Sequence, residues 1–87
     1  MKRVKQTEKP DFETIASSHD FGKVVHYRRT SLGLTRQMAA NLCNINERTM
    51  DKIEKGNVAV GLDNALKVAN ALGIEIQFLI KGNNDEL

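Results

Sequence analysis

Hydrophobic and polar positions first follow a helical period. Phe21, Val24, Val25 and Arg28 fall at i, i+3, i+4 and i+7 with Leu32 following, which predicts a helix over 19–32. Ser18 is placed to cap it, Asp20 suits its first turn, and Gly33 supplies the stop. Thr35 opens a second helix over 36–43, with Met38, Ala39, Leu42 and Cys43 along one side. Asn44 tolerates the left-handed backbone of a sharp turn, and the apolar Ile45 pins that turn. Asn46 caps a third helix over 47–55 that turns Met50 and Ile53 inward and stops at Gly56. After a loop at 57–61, Leu62, Ala65, Leu66, Ala69 and Leu72 form the face of a fourth helix over 62–72, with Asp63 in its first turn and Gly73 past its end.

The period then drops to two. Ile74, Ile76, Phe78 and Ile80 alternate with other side chains, which predicts a strand over 74–80. A lone strand leaves its backbone donors and acceptors unpaired, and its apolar face needs cover. Pairing with a second copy across a two-fold axis meets both needs and points to a homodimer. The alternatives are a segment lying across its own helices or paired with the N-terminal arm. The expected fold is mainly α: four helices around one core in residues 18–73, a C-terminal strand at 74–80 pairing across a homodimer, and a polar tail at 81–87. Residues 1–17 read as a basic arm. Pro10 cannot sit inside a helix, although a short helical turn around 12–16 is allowed.

Composition narrows the class. Eighty-seven residues suffice for one small domain, and 40% hydrophobic with 28% charged is an ordinary globular balance. A chain of this size buries only about 60% of the surface that its unfolded form exposes, so oligomerisation is a ready source of stability. MKRVKQTEKP is basic with no apolar run behind it, so no signal peptide is expected, and the single Cys43 suits a reducing cytoplasm. The net charge of +2 is unevenly spread. Lys2, Arg3, Lys5 and Lys9 crowd the arm, and residues 23–55 carry seven basic side chains against three acidic ones. That middle fits either a polyanion partner or a scattered solvated surface.

The informative stretch runs from Thr35 to Gly56. Two short helices, each opened by its own cap and joined by a tight Asn44-Ile45 turn, make a helix-turn-helix. Ala39 and Ala40 are small enough to let the helices cross closely, and the third helix then projects its N-terminal side chains toward a major groove. GLTRQMAANLCNINERTMDKIEKG, continued by LDNALKVANALGI, resembles the Cro/phage-repressor class of bacterial regulators over residues 18–74. The length and the C-terminal strand look most like HipB-type antitoxins, dimeric repressors that bind their own operators and a kinase-like toxin.

The resemblance implies roles residue by residue. Asn46, Glu47, Arg48 and Lys52 match positions that face bases, with Arg48 suited to guanine O6 and N7. Glu47 either accepts from cytosine N4 or balances charge. Thr35, Arg36 and Lys55 match positions that hold phosphates, and Arg29 and Glu54 match a structural ion pair. Three departures stand out. Arg36 replaces the usual Gln, Asn44 replaces Gly, and the loop Asn57-Val58-Ala59-Val60 lacks the basic residues common there. Asp51 adds a negative charge near the groove, either solvated or paired. The resemblance implies double-stranded DNA as partner, with an inverted-repeat operator in the cytoplasm at the nucleoid, and no cofactor. A solitary regulator and a protein–protein adaptor that keeps the shape without binding DNA are the alternatives. The arm reads equally as a source of nonspecific DNA attraction, a solubilising tail or a peptide that folds on a partner. His19 and His26 are seven residues apart and far along the chain from Cys43, so no metal site is expected. His26 is expected at the surface or near a phosphate. Cys43 and Met38 are expected in the core, and no constellation suggests an enzyme.

Overall fold

The computed structural model describes residues 4–57, 60–78, 80 and 82. Lys2 and Arg3 of the arm, Val58 and Ala59 of the loop, Leu79 of the expected strand, and Lys81 and 83–87 of the tail lie outside the described residues. Four helices follow in order: α1 (Ser18–Ser31), α2 (Arg36–Cys43), α3 (Glu47–Glu54) and α4 (Leu62–Ala71).

Local chemistry sets these boundaries. The Thr35 hydroxyl accepts from the Met38 amide at 3.1 Å, and the Asn46 carboxamide oxygen accepts from the Thr49 amide at 2.7 Å. Each satisfies one donor that the first turn leaves orphaned. For α1 the cap is Ser17 rather than Ser18: the Ser17 hydroxyl accepts from the Asp20 amide at 3.1 Å. Ser18 instead donates to the Gly56 carbonyl at 3.0 Å, tying the start of α1 to the end of α3. Adjacent serines offer two caps, and that carbonyl 38 residues away selects between them. At the other ends, Gly33, Asn44, Gly56 and Gly73 all take positive φ. After each, an amide reaches back to close the helix: Leu34 to Arg29, Ile45 to Ala40, Asn57 to Lys52 and Ile74 to Ala69.

The core is Val25, Ala39, Ala40, Cys43, Met50, Ile53, Val68 and Leu72, with Phe21, Leu34, Ile45, Val60, Ala71 and Ile74 packed against it. α3 packs on both α1 and α2, and α4 packs on α2. The two alanines are fully buried, as close crossing of α2 requires. Gly22 permits a closer approach still. A Cβ there would lie 2.5 Å from the Ile53 carbonyl oxygen and 2.6 Å from that of Glu54. Both obstacles are backbone, so any side chain at position 22 would push α1 off α3. Arg28 spans to the far helix, donating from Nε to the Leu72 carbonyl at 2.7 Å, where α4 leaves that acceptor unpaired.

Several apolar positions expected inside are not. Met38 and Leu42 on α2, and Leu62 and Leu66 on α4, are exposed, as is Leu32. The helical period placed them one step around from the buried stripe. α2 in particular is short and packs on a narrow face, so Ala39, Ala40 and Cys43 take the contact and the larger Met38 and Leu42 flank it. No strand is present among the described residues. A ladder needs a second strand, and no described segment pairs with 74–78. Ile74 is anchored to the core, whereas Ile76, Phe78 and Ile80 stand in solvent, Phe78 at 86% exposure.

Candidate nucleic-acid interface

The end of α3 is held from behind by a buried cluster of charge. Arg29 of α1 grips the Glu54 carboxylate with both arms of its guanidinium: Nε donates to Oε2, and Nη2 donates to Oε1 at 3.0 Å. Its remaining nitrogen, Nη1, donates to the Leu34 carbonyl at 2.9 Å, so one side chain ties α1, the α1–α2 connection and α3 together. His26 adds a third arm, with Nδ1 lying 2.9 Å from Oε1 of Glu54. The Arg29 and Glu54 side chains are almost fully buried, at 7% and 5% exposure. Burial pushes the Glu54 carboxyl toward a higher pKa, but the hydrogen bonds and charges of Arg29 and His26 outweigh it, so its pKa lies below the ordinary 4.5. A bidentate fork with every polar atom engaged is the geometry in which a buried ion pair repays its desolvation.

On the outer side of the same helix the charges are free. Glu47, Arg48 and Lys52 are exposed, and neither Arg48 nor Lys52 makes an ion pair among the described residues. Met50 and Ile53 are buried on the opposite side of α3. Asn46 is exposed, but its carbonyl oxygen is committed to the cap, leaving the amide NH2 to meet an acceptor. Thr35 is half-buried, its hydroxyl likewise occupied in capping α2.

Arg36 leans inward to lie 3.7 Å from both Asp51 and Glu54, and its Nε is buried without a hydrogen-bond partner. Asp51 is paired rather than solvated, since Lys55 Nζ approaches it at 3.1 Å across one helical turn. Lys55 stays exposed enough to reach a second anion.

Sequence reading missed two contributors here. His26 belongs to the buried ion cluster, with its side chain 38% exposed, rather than standing as a bare surface residue. The clue was its spacing of three from Arg29, which puts both on one face of α1. Arg28 was grouped with the apolar face, yet its head caps α4. Cys43 is buried; burial pushes its thiol pKa up, against a smaller opposing pull from Lys67, which keeps it a poor nucleophile. Among the described residues no group of three or more His, Cys, Asp or Glu could hold a metal ion.

Because the Glu54 pKa is lower folded than unfolded, the cluster's contribution is complete above pH 4.5 and is lost as the pH falls through the folded value. Glu54→Gln should lose about 3 kcal/mol at pH 7, because it leaves Arg29 buried without a counter-charge. It should also flatten the acid limb of the stability curve. Urea unfolding between pH 7 and pH 3 reads both, and parallel acid limbs for the parent and the variant would contradict the assignment.

A helix-turn-helix family profile matches residues 25–79, which takes in the second half of α1, the whole of α2 to α4 and most of the segment after them. No curated protein matches the chain. No helix among the described residues is long and apolar enough to cross a membrane. A capped α2, a left-handed turn at Asn44 and an α3 with free cations on its open face are the parts by which such domains enter a DNA groove. Given the match across well over half its length, the chain belongs to the helix-turn-helix family of the Cro/repressor type, the DNA-binding transcriptional regulators.

Proposed function

We propose that this protein is a sequence-specific repressor that binds an inverted-repeat operator as a homodimer. The observation that carries the proposal is the split of α3. Its inner face is locked by Met50, Ile53 and Glu54, and its outer face offers Glu47, Arg48 and Lys52. Base contacts specify sequence and phosphate contacts fix register. Arg48 and Lys52, with Asn46 and Glu47, form the base-reading set; Thr35, Arg36 and Lys55 form the phosphate-holding set. The functional division is an arm at 1–17, the DNA-binding core at 18–73, a dimer seam at 74–80 and a tail at 81–87.

The dimer is supported by the exposed Ile76, Phe78 and Ile80, which an antiparallel partner strand would cover while pairing their backbone. A two-fold pair would set the recognition helices about 34 Å apart, one turn of DNA. The finer proposal is that the repressor is an autoregulating antitoxin of the HipB type, acting in the cytoplasm at the nucleoid beside a kinase-like toxin. Its support is the resemblance over 18–74 together with the apolar segment after α4.

Fluorescence anisotropy with DNA from upstream of its own gene, beside a scrambled duplex at two salt concentrations, tests the central reading. Selective binding that survives added salt supports an autorepressor, and equal binding to both that vanishes with salt counts against it. Arg48→Ala should cost about 1–3 kcal/mol and relax preference at one base pair per half-site, whereas an equal loss on every sequence would make Arg48 a phosphate contact. Phe78→Asp should halve the mass by light scattering, because a charge buried on a two-fold seam has no partner; an unchanged mass would refute the seam. Coexpression with the neighbouring gene should copurify a kinase-like protein, and a dimer recovered alone would favour a solitary regulator.

A further inference from the structure

We propose that the N-terminal arm is a positioned strap that delivers Lys5 to the DNA backbone, extending the interface past the helix-turn-helix. The strap is anchored on α1. The Thr7 amide donates to the Thr30 hydroxyl oxygen at 3.2 Å, and the two threonine hydroxyls lie 3.3 Å apart. Thr30 is itself buried, its hydroxyl within reach of the His26 and Tyr27 carbonyls at 3.0 and 3.1 Å. The anchor is therefore a fixed point rather than a loose surface group.

The direction of the strap follows from its two sides. Glu8 and Pro10 border a cleft with Lys23 and His26, toward the middle of α1. Val4 and Lys5 border a second cleft with Thr35, Arg36, Gln37 and Glu47. The chain thus runs antiparallel to α1, and its upstream end reaches the start of α2 and of the recognition helix, the edge assigned to phosphate. Lys5 is exposed and makes no ion pair among the described residues. Arg36 in that cleft is already shared between Asp51 and Glu54. Lys5 is accordingly an unspent cation bordering that cleft among the described residues, and the DNA phosphate adjoining the half-site is the anion it fits. A freely moving cationic tail would add attraction from any of its lysines. A strap pinned at Thr7 adds it from Lys5 and not from Lys9, which lies between Glu8 and Pro10 on the other side of the anchor.

The inference rests on the DNA-binding reading, and its test separates the two. A duplex enriched from a random pool by the full-length chain serves as probe, with affinity measured against salt concentration. Lys5→Ala should reduce the slope of log K against log salt by about one per subunit and weaken binding roughly eightfold per subunit at 0.1 M salt, on any sequence. Thr30→Val, which removes the anchor, should lose as much and gain little further loss when combined with Lys5→Ala. Thr30→Ser, which keeps the hydroxyl, should bind as the parent does, and so should Lys9→Ala. Helical circular dichroism equal to the parent's confirms that the Thr30→Val variant is folded. Equal losses for Lys5→Ala and Lys9→Ala, or none for either, would overturn the strap while leaving DNA binding intact. Failure to enrich any duplex would overturn both.

Discussion

Arg29 and Glu54 form the contact on which the other elements depend, because it joins three parts of the chain at one point. The domain is small, and its fully buried apolar side chains are few and modest, with Met50 and Leu72 the largest. Such a core favours compaction but discriminates weakly among rotations of a short helix. A planar fork donating two parallel hydrogen bonds to a carboxylate accepts only a narrow range of angles. The pair thus fixes the rotation of α3 about its own axis, and with it the direction in which Arg48 and Lys52 point. The same guanidinium holds the Leu34 carbonyl, so the start of α2 is placed by the interaction that orients α3. Gly22 lets the backbones come close enough for the fork to reach.

The helix boundaries were readable in the residues because they are decided locally. Thr35, Asn46, Gly33, Asn44, Gly56 and Gly73 each act within a few positions of themselves, and α2 begins and ends where its caps imply. What lay beyond such reading depended on distant partners. Ser17 and Ser18 are equivalent caps by type, and only the Gly56 carbonyl separates them. Met38 and Leu42 satisfy the apolar period of α2, yet the stripe that meets the other helices is Ala39, Ala40 and Cys43. Periodicity measures which residues share a face. It does not measure how wide a face the neighbours cover.

The interface was readable in the same partial way. That Arg48 and Lys52 occur on the third helix follows from spacing, and their freedom from ion pairs emerges only when Asp51 is seen to engage Lys55 and Arg36 instead. Charge counting alone would have set Asp51 against Lys52, its neighbour in sequence, yet adjacent helical residues point apart and the turn-spaced partner prevails. His26 was legible only as a neighbour of Arg29 on α1, since its role depends on a carboxylate 28 residues away. The alternating segment after α4 reads as a strand by pattern, but among the described residues no second strand pairs with it.

The four left-handed closures carry a kinetic consequence. Each is completed within six residues, so every helix can stop at its own end before any long-range contact exists. The chain does not search for where its helices terminate, only for how four short helices dock, and that docking joins helices one or two apart along the chain. Domains dominated by such short-range contacts cross a low entropic barrier and fold in microseconds to milliseconds. A newly made copy would accordingly reach its DNA-binding shape on a timescale far shorter than its own synthesis.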